Sequence, residues 1–297
     1  LGFGDGQAVS ATVRGWHHGR IRATRSTRAR ELLTELMPGL LGALSQTVSP
    51  DAAFRHFDEF LTNLPAGVQL FSMFYARPGL LDLLAEIMGS APSLAEHLSR
   101  HPNLLDGVLT GQFYEPVGTV LELSANLSES LDAASDFQDV LDAARRWTHD
   151  REFQIGMRLL RAMISGEEAG AALSDVADAT LRGLLPHVEA EFQRAHGEMP
   201  GGEFVIVGLG KLGGREMTFS SDLDVIFIYR GSAAEQTQSE GPRPLPLSQY
   251  YGRLSQRLVT AVNALTPEGK LYEIDARLRP SGQSSPLASE AGGFAEY

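Results

Sequence analysis

Two aspartates spaced one residue apart, Asp222 and Asp224, lie between a glycine-rich turn and an apolar run. Successive side chains of a strand point to opposite faces, so both carboxylates point the same way if the run is a strand. Two carboxylates this close repel each other unless something positive lies between them. A hard divalent cation with oxygen ligands, Mg²⁺ above all, meets that need. The pair therefore predicts a metal site.

Alternation in the segment 270–278 predicts a second strand, which supplies a third carboxylate. The residues on its charged face are Leu271, Glu273, Asp275, Arg277 and Arg279. If this strand lies beside the first, Asp275 completes a cluster of three aspartates that holds two metal ions, roughly 3.5–4 Å apart in sites of this type. Arg277 and Arg279 would then lie near the cluster, where they can receive phosphate oxygens.

The glycine-rich turn at 208–214 offers backbone N–H groups to a phosphate. Within it, Lys211 either contacts phosphate or is an exposed turn lysine. Ser221, just before the aspartate pair, either bonds phosphate or caps the strand. A metal site beside a phosphate-binding turn indicates nucleotide chemistry.

Two other phosphate-binding motifs do not fit these glycines. Gly208, Gly210 and Gly213 match the spacing of the dinucleotide-binding fingerprint, but the next strand begins at Asp222, too soon for the helix that such a unit needs. A P-loop is excluded because Lys211 is not followed by Ser or Thr.

Longer strings around these residues resemble one family. Gly-Lys-Leu-Gly-Gly-Arg-Glu-Met, Ser-Ser-Asp-Leu-Asp and Asp275-Ala-Arg-Leu-Arg-Pro-Ser-Gly282 are similar to glutamine synthetase adenylyltransferase, of the DNA polymerase β-like nucleotidyltransferases. The resemblance implies transfer of AMP from ATP to a tyrosine of glutamine synthetase, with two Mg²⁺ ions bound by Asp222, Asp224 and Asp275. It also implies that Gly213 and Gly214 bind the nucleotide.

Members of this family carry two nucleotidyltransferase halves, and this chain contains one. Its sequence motifs at 271–275 and 279–282 are more similar to those of the C-terminal, adenylylating half than to those of the deadenylylating half, which removes AMP by phosphorolysis. Two further alternatives stay open. One is a non-catalytic regulatory fragment that binds a PII signalling protein. The other is nucleotidyl transfer to nucleic acid through the arginines of 14–30, which the overall acidity of the chain disfavours.

Composition sets broad limits on the chain. It has 297 residues, 43% of them hydrophobic, and a formal net charge of −12, so there is ample material for a core in one or two domains. Without cysteine there is neither a disulfide framework nor a thiolate metal site. No apolar run approaches the ~18 residues of a membrane span, and no signal peptide is recognised. We expect a cytoplasmic protein without a nucleic-acid or membrane partner. Because it begins at Leu1, we expect a piece of something longer.

Apolar and aromatic residues recur at helical spacing through most of the first 196 positions, and they predict core rather than a ligand-binding surface. Strand patterns follow. The chain is therefore expected to be α+β, mostly helical, with a small mixed β-sheet of the polymerase β-like fold. We expect a helical linker or regulatory region at 1–125. A nucleotidyltransferase domain would follow at 126–297, with two long N-terminal helices that Gly166 separates as a C-cap, and without its C-terminal helical part.

Overall fold

The computed structural model describes residues 2–102, 104–105, 107, 111–231, 238–279 and 286–295. It divides into two compact units, Leu1–Glu115 and Pro116–Tyr297. The first is helical and the second combines helices with a mixed sheet, which confirms the α+β prediction. None of the helices in the described residues is long and apolar enough to cross a bilayer.

The described α-helices are α1 Gly6–His17, α2 Thr27–Ser45, α3 Pro50–Asn63, α4 Val68–Ala76, α5 Pro78–Ser90, α6 Pro92–Arg100, α7 Val120–Asp132, α8 Phe137–Leu160, α9 Gly166–His196, α10 Gly210–Gly214, α11 Leu247–Asn263 and α12 Ala291–Ala295. The described strands are β1 Glu203–Gly208, β2 Leu223–Arg230, β3 Ile274–Asp275 and β4 Ala288–Glu290.

The first unit packs short amphipathic helices around aromatic side chains. Trp16 is 1% exposed; its ring stacks on Phe54, with centroids 5.3 Å apart. Its indole N–H, which would be costly to bury without a partner, donates to Asp58 Oδ1 at 2.6 Å. Phe57 and Phe60 are also buried. The aromatic residues predicted as core are therefore core.

The boundary between the units lies earlier in the chain than the sequence suggested. Thr119 caps α7 in a reciprocal capping box with Glu122. The buried face of that helix, Leu123, Leu127 and Leu131, belongs to the hydrophobic core of the second unit. The division therefore falls after Glu115, and α7 lies wholly in the second unit instead of straddling position 125.

Two long helices, α8 and α9, form the helical layer of the second unit. The hydroxyls of Thr148 and Thr180, near the middle of each, lie 2.9 Å apart and are buried. The predicted C-cap at Gly166 is wrong, because Gly166 is the first residue of α9. Ser165 caps that helix, and Glu168 completes a capping box. The Ser-x-x-Glu signal outweighs the glycine here because it satisfies two otherwise unbonded amides of the first turn.

Four strands form the mixed sheet. β1 pairs with β2 antiparallel, from Glu203 opposite Arg230 to Gly208 opposite Val225. β3 and β4 pair with β2 in parallel. Among the described strands β1 lies at an edge of the sheet, and its Val205 is 51% exposed. β2 pairs with each of the other three described strands, so the register of each is set against β2.

Candidate metal centre

Three carboxylates converge where β2 begins and β3 runs beside it. Parallel pairing places Asp224 opposite Asp275. Asp222 directly precedes β2, and one carboxylate oxygen from each aspartate lies within 4.8 Å of the other two. The structure brings together the three side chains that the sequence grouped.

The burial pattern of β2 explains why its aspartate faces the cluster. Leu223, Val225 and Phe227 are fully buried and anchor one face of the strand in the core. Because side chains alternate, Asp224 points to the opposite face, where it is half-buried, and Asp222 is exposed just outside the strand.

The strand that carries the third aspartate is much shorter than predicted. Only Ile274–Asp275 pairs as regular strand, rather than 270–278. The alternation is wrong at both ends: Leu271 is buried although it was predicted on the charged face, and Leu278 is 53% exposed although it was predicted on the apolar face. The segment before β3 contacts side chains of α8 and α11, so consecutive residues of it, including Tyr272, are buried.

The two opposed aspartates have opposite electrostatic surroundings. Burial, followed by the charges of Asp222 and Asp275, raises the pKa of Asp224 above its ordinary value. Hydrogen bonds from Arg277 lower the pKa of Asp275. The Arg277 amide donates to Asp275 Oδ1 at 2.9 Å, and its Nε lies 2.9 and 2.8 Å from the two carboxylate oxygens. The two side chains form an ion pair.

This donor set fits a hard divalent cation. Three carboxylates supply only oxygen ligands, which Mg²⁺ prefers. One arginine does not neutralise three negative charges, and the charges of Asp222 and Asp275 add to burial in raising the pKa of Asp224. The Arg277 side chain is 68% exposed, so it can leave Asp275 without crossing the protein interior.

Gly210 contributes to the site in a way that the sequence reasoning missed. Its φ is +50°, in the left-handed region that favours glycine. A Cβ at this position would lie 2.2 Å from Asp224 Oδ2. The Leu209 amide also donates to the Asp224 carbonyl oxygen at 2.8 Å. Gly210 therefore lets the turn approach the carboxylate. The Gly-x-Gly spacing was the available signal, but the sequence analysis weighed it only for phosphate and dinucleotide binding, not for close approach to Asp224.

The other predicted residues of the glycine turn lie around it in different ways. The Gly213 amide donates to the Leu209 carbonyl at 2.8 Å, and a Cβ on Gly213 would lie 2.6 Å from the Gly208 carbonyl oxygen. A Cβ on Gly214 would meet the Glu216 side chain at an ordinary contact distance of 3.9 Å. Lys211 is exposed, and its positive charge acts to lower the pKa of Asp224.

Ser221 holds the turn that leads into the cluster. Its Oγ accepts the Thr218 amide at 3.0 Å and lies 2.9 Å from the Thr218 hydroxyl. At the far side of the site, Arg279 donates to the Ala276 carbonyl. The continuation of its motif, 280–282, lies outside the described residues. The roles predicted for Ser221 and Arg279 toward phosphate stay predictions.

A second feature that sequence reasoning missed is the anchor of the glycine turn. Arg215 ends α10 with a φ of +58° and forms a two-pronged ion pair with Asp175 of α9, at 2.6 and 2.8 Å. No local pattern signals this pair because its members lie 40 positions apart.

The fold and the site define an α+β protein with a three-carboxylate candidate metal centre. The family model for glutamate-ammonia ligase adenylyltransferase matches residues 81–297. The chain therefore belongs to the glutamate-ammonia ligase adenylyltransferase family, as the resemblance of its motifs predicted.

Curated relatives agree with this assignment. Proteins named bifunctional glutamine synthetase adenylyltransferase/adenylyl-removing enzyme are 46% identical in Mesorhizobium japonicum, 44% in Brucella suis and 43% in Agrobacterium fabrum. Each match covers 100% of this chain and 30% of the relative. The chain thus spans about a third of the length of these relatives.

Proposed function

We propose that this chain transfers AMP from ATP to a tyrosine hydroxyl of glutamine synthetase, and that Pro116–Tyr297 carries the chemistry. The observation that carries the proposal is the convergence of Asp222, Asp224 and Asp275 within 4.8 Å. Family membership supports it, because the relatives are named for adenylyl transfer to glutamine synthetase. Their names also include the removing activity, which is the second candidate.

In this proposal Asp222, Asp224 and Asp275 are the residues that would hold Mg²⁺. Bound there, Mg²⁺ would offset negative charge on the phosphates and on the attacking and leaving oxygens. A tyrosine hydroxyl has an ordinary pKa of about 10, so it needs a proton acceptor near neutral pH. Asp275 accepts that proton as the tyrosine oxygen bonds to the α-phosphorus and the bond to pyrophosphate breaks.

In this proposal Arg277 pairs with Asp275 before the nucleotide binds and with phosphate oxygens afterwards. Without nucleotide it neutralises Asp275. With nucleotide bound, its exposed guanidinium moves to phosphate oxygens, for which its planar fork is suited. Lys211 and Arg279 would add positive charge to the site, and the glycine turn at Gly213 and Gly214 would lie against the triphosphate.

The test is transfer of labelled AMP from ATP to purified glutamine synthetase in the presence of Mg²⁺. The chain is compared with Asp222→Asn and with a control, Glu203→Gln, whose exposed carboxylate pairs with Arg230 at the end of the β1–β2 ladder opposite the aspartates. We expect transfer by the unchanged chain and by the control, and its loss in Asp222→Asn. Equal transfer by all three proteins would refute the role of the aspartates.

The second candidate is tested with adenylylated glutamine synthetase and phosphate. Release of labelled AMP as ADP by the unchanged chain, without forward transfer, would assign it to the removing half. The same three aspartates would serve that reaction.

Residues 1–115 have a separate place in the proposal. They form a helical unit with its own aromatic core, and we propose them as the region that docks a PII signalling protein. A cytoplasmic location and the absence of a nucleic-acid partner belong to the same proposal.

A further inference from the structure

A buried arginine on α8 reaches the segment that leads to the third aspartate. Arg145 is 0% exposed, and its guanidinium donates to five backbone carbonyls. A buried guanidinium is costly unless its donors are used, and Arg145 uses all three nitrogens. The acceptors are the carbonyl oxygens of Leu141, Ala261, Val262, Ala264 and Gly269, at 2.6–3.3 Å.

Three of these acceptors lie at the end of α11. The last carbonyls of a helix have no partner within it, and they carry the negative end of its dipole. Arg145 Nη2 satisfies Ala261 and Ala264 at 2.9 and 2.6 Å. Its Nε donates to the Gly269 carbonyl at 3.1 Å, which joins the helix end to the 266–269 turn. One side chain thus fixes both ends of the connection between α11 and the segment before β3.

The residue of α11 that lies among the carbonyls bound by Arg145 is Asn263, and it contacts β3 directly. Asn263 lies between Val262 and Ala264, and its Oδ1 accepts the Ile274 amide at 3.0 Å. The Glu273 carbonyl accepts the Leu223 amide at 2.8 Å from the other side. The amide held by Asn263 is adjacent to Asp275.

We propose that Asn263 and Arg145 are positioning residues for the metal centre: Asn263 fixes β3 beside β2, and Arg145 fixes Asn263. β3 contains only two residues, so its own ladder offers little resistance to displacement. Side chains from α8 and α11 replace the longer strand that would otherwise hold Asp275. This inference rests on the proposed function for its consequence in catalysis, but its effect on metal binding is independent of transfer.

The experiment measures Mn²⁺ affinity by electron paramagnetic resonance, together with melting temperature, on the 297-residue chain. Asn263→Leu keeps the approximate volume but removes the acceptor, and Asn263→Asp keeps the acceptor. We expect Asn263→Leu to bind Mn²⁺ about tenfold more weakly and Asn263→Asp to remain within about threefold of the unchanged chain, in line with a supporting residue of a metal site. Arg145→Lys, which cannot reach all five carbonyls, is expected to weaken binding in the same direction.

The matched control is Thr148→Val. It removes the buried hydrogen bond to Thr180 between α8 and α9 without touching the 261–275 segment. It should lower the melting temperature and leave Mn²⁺ affinity unchanged. If Asn263→Leu binds Mn²⁺ as the unchanged chain does, or loses no more affinity than Thr148→Val, the inference is wrong. It is equally wrong if the unchanged chain binds no Mn²⁺.

Activity separates this inference from the proposed function. If the unchanged chain transfers AMP, Asn263→Leu should lower kcat much more than it raises KM for glutamine synthetase. If the unchanged chain transfers no AMP but the Mn²⁺ pattern holds, the proposed function fails and the positioning role stands.

Discussion

Asp224 and Asp275 face each other across β2 and β3, but the protein holds them by different means. Asp224 lies on an eight-residue strand whose apolar side chains are anchored in the core. Asp275 lies on a two-residue strand, and Asn263 holds the amide next to it. We call Asp224 on β2 the first arm of the site and Asp275 on β3 the second arm. Strand pairing positions the first arm, and side chains from two helices position the second. Strand periodicity can reveal the first kind of support from sequence but not the second.

The electrostatic environments of the two aspartates also differ. The pKa of Asp224 is raised by burial and by its acidic neighbours, whereas that of Asp275 is lowered by Arg277. A cation entering the cluster relieves repulsion at Asp224 and competes with an arginine at Asp275. The arms are therefore expected to respond differently to substitution.

The largest expected loss of AMP transfer comes from filling the space between Gly210 and Asp224. Gly210→Ala places a Cβ 2.2 Å from Asp224 Oδ2, closer than contact allows, and also strains the positive φ. A displacement of about 1 Å at a reacting centre can cost about 100-fold in rate, so we expect AMP transfer to fall by at least about that factor. Steady-state assays check this.

Gly252→Ala is the control, because a Cβ there meets nothing within 4 Å and it lies within α11. It should keep full transfer and gain slightly in stability from better helix propensity. Near-normal transfer in Gly210→Ala would show that the turn can withdraw from Asp224, and the first arm would then be less rigid than the sheet implies.

A second prediction concerns how the free energy of unfolding depends on pH, through a carboxyl that contacts the segment leading to Asp275. Glu152 on α8 interacts with Tyr272, three residues before Asp275, and burial raises the pKa of Glu152 from 4.5 to about 7. Because the folded state binds this proton more tightly than the unfolded state, Glu152 lowers stability as pH rises from about 4.5 to about 7. Glu152→Gln should therefore be more stable than the unchanged chain above pH 7, on the order of 1–3 kcal/mol.

Urea unfolding at pH 5 and pH 8 measures this difference. The advantage of Glu152→Gln should be small at pH 5 and fully developed at pH 8. A difference between the two proteins that does not change with pH would contradict burial of this carboxyl as the cause.

The smallest effect concerns the anchor of the glycine turn. Arg215 pairs with Asp175 through two hydrogen bonds, but its side chain is 53% exposed. Solvent screening limits such a pair to about 0.5–1 kcal/mol, so Arg215→Met should lower the free energy of unfolding by no more than that.

Arg230→Met is the matched control, because it removes an exposed arginine–carboxylate pair, with Glu203, at the end of the β1–β2 ladder opposite the aspartates. Both variants should lose a little stability, but only Arg215→Met should reduce AMP transfer, by a few fold. Equal transfer in the two would mean that the turn needs no anchor on α9.

The difference between the arms explains how much the sequence could predict. The apolar run after Asp224 identified β2, and the grouping with Asp275 followed from an alternating segment. The length of that second strand was wrong because Leu271 and Tyr272 are covered by helices, and period-two burial requires one solvated face. Arg145 contacts residues more than 100 positions away, so no local pattern could indicate its role.

The same reasoning applies to the helical part. Helical spacing predicted the aromatic core of the first unit and the long helices of the second. It missed α7 as part of the second unit because its buried face, from Leu123 to Leu131, is short and its partners lie much later in the chain. Capping boxes at Thr119 and Ser165 mark the starts of α7 and α9 in the structure, but the sequence prediction did not use these signals.

The central claim is that the three aspartates act as one metal centre, and a double-variant titration tests it most directly. Calorimetric titration of Mn²⁺ would compare the unchanged chain with Asp224→Asn, Asp275→Asn and the protein carrying both changes. Because residues that share a ligand couple, each single change should remove most of the affinity, and the double change should add little further loss. Unchanged affinity in either single variant, or two losses that simply add, would contradict a shared centre.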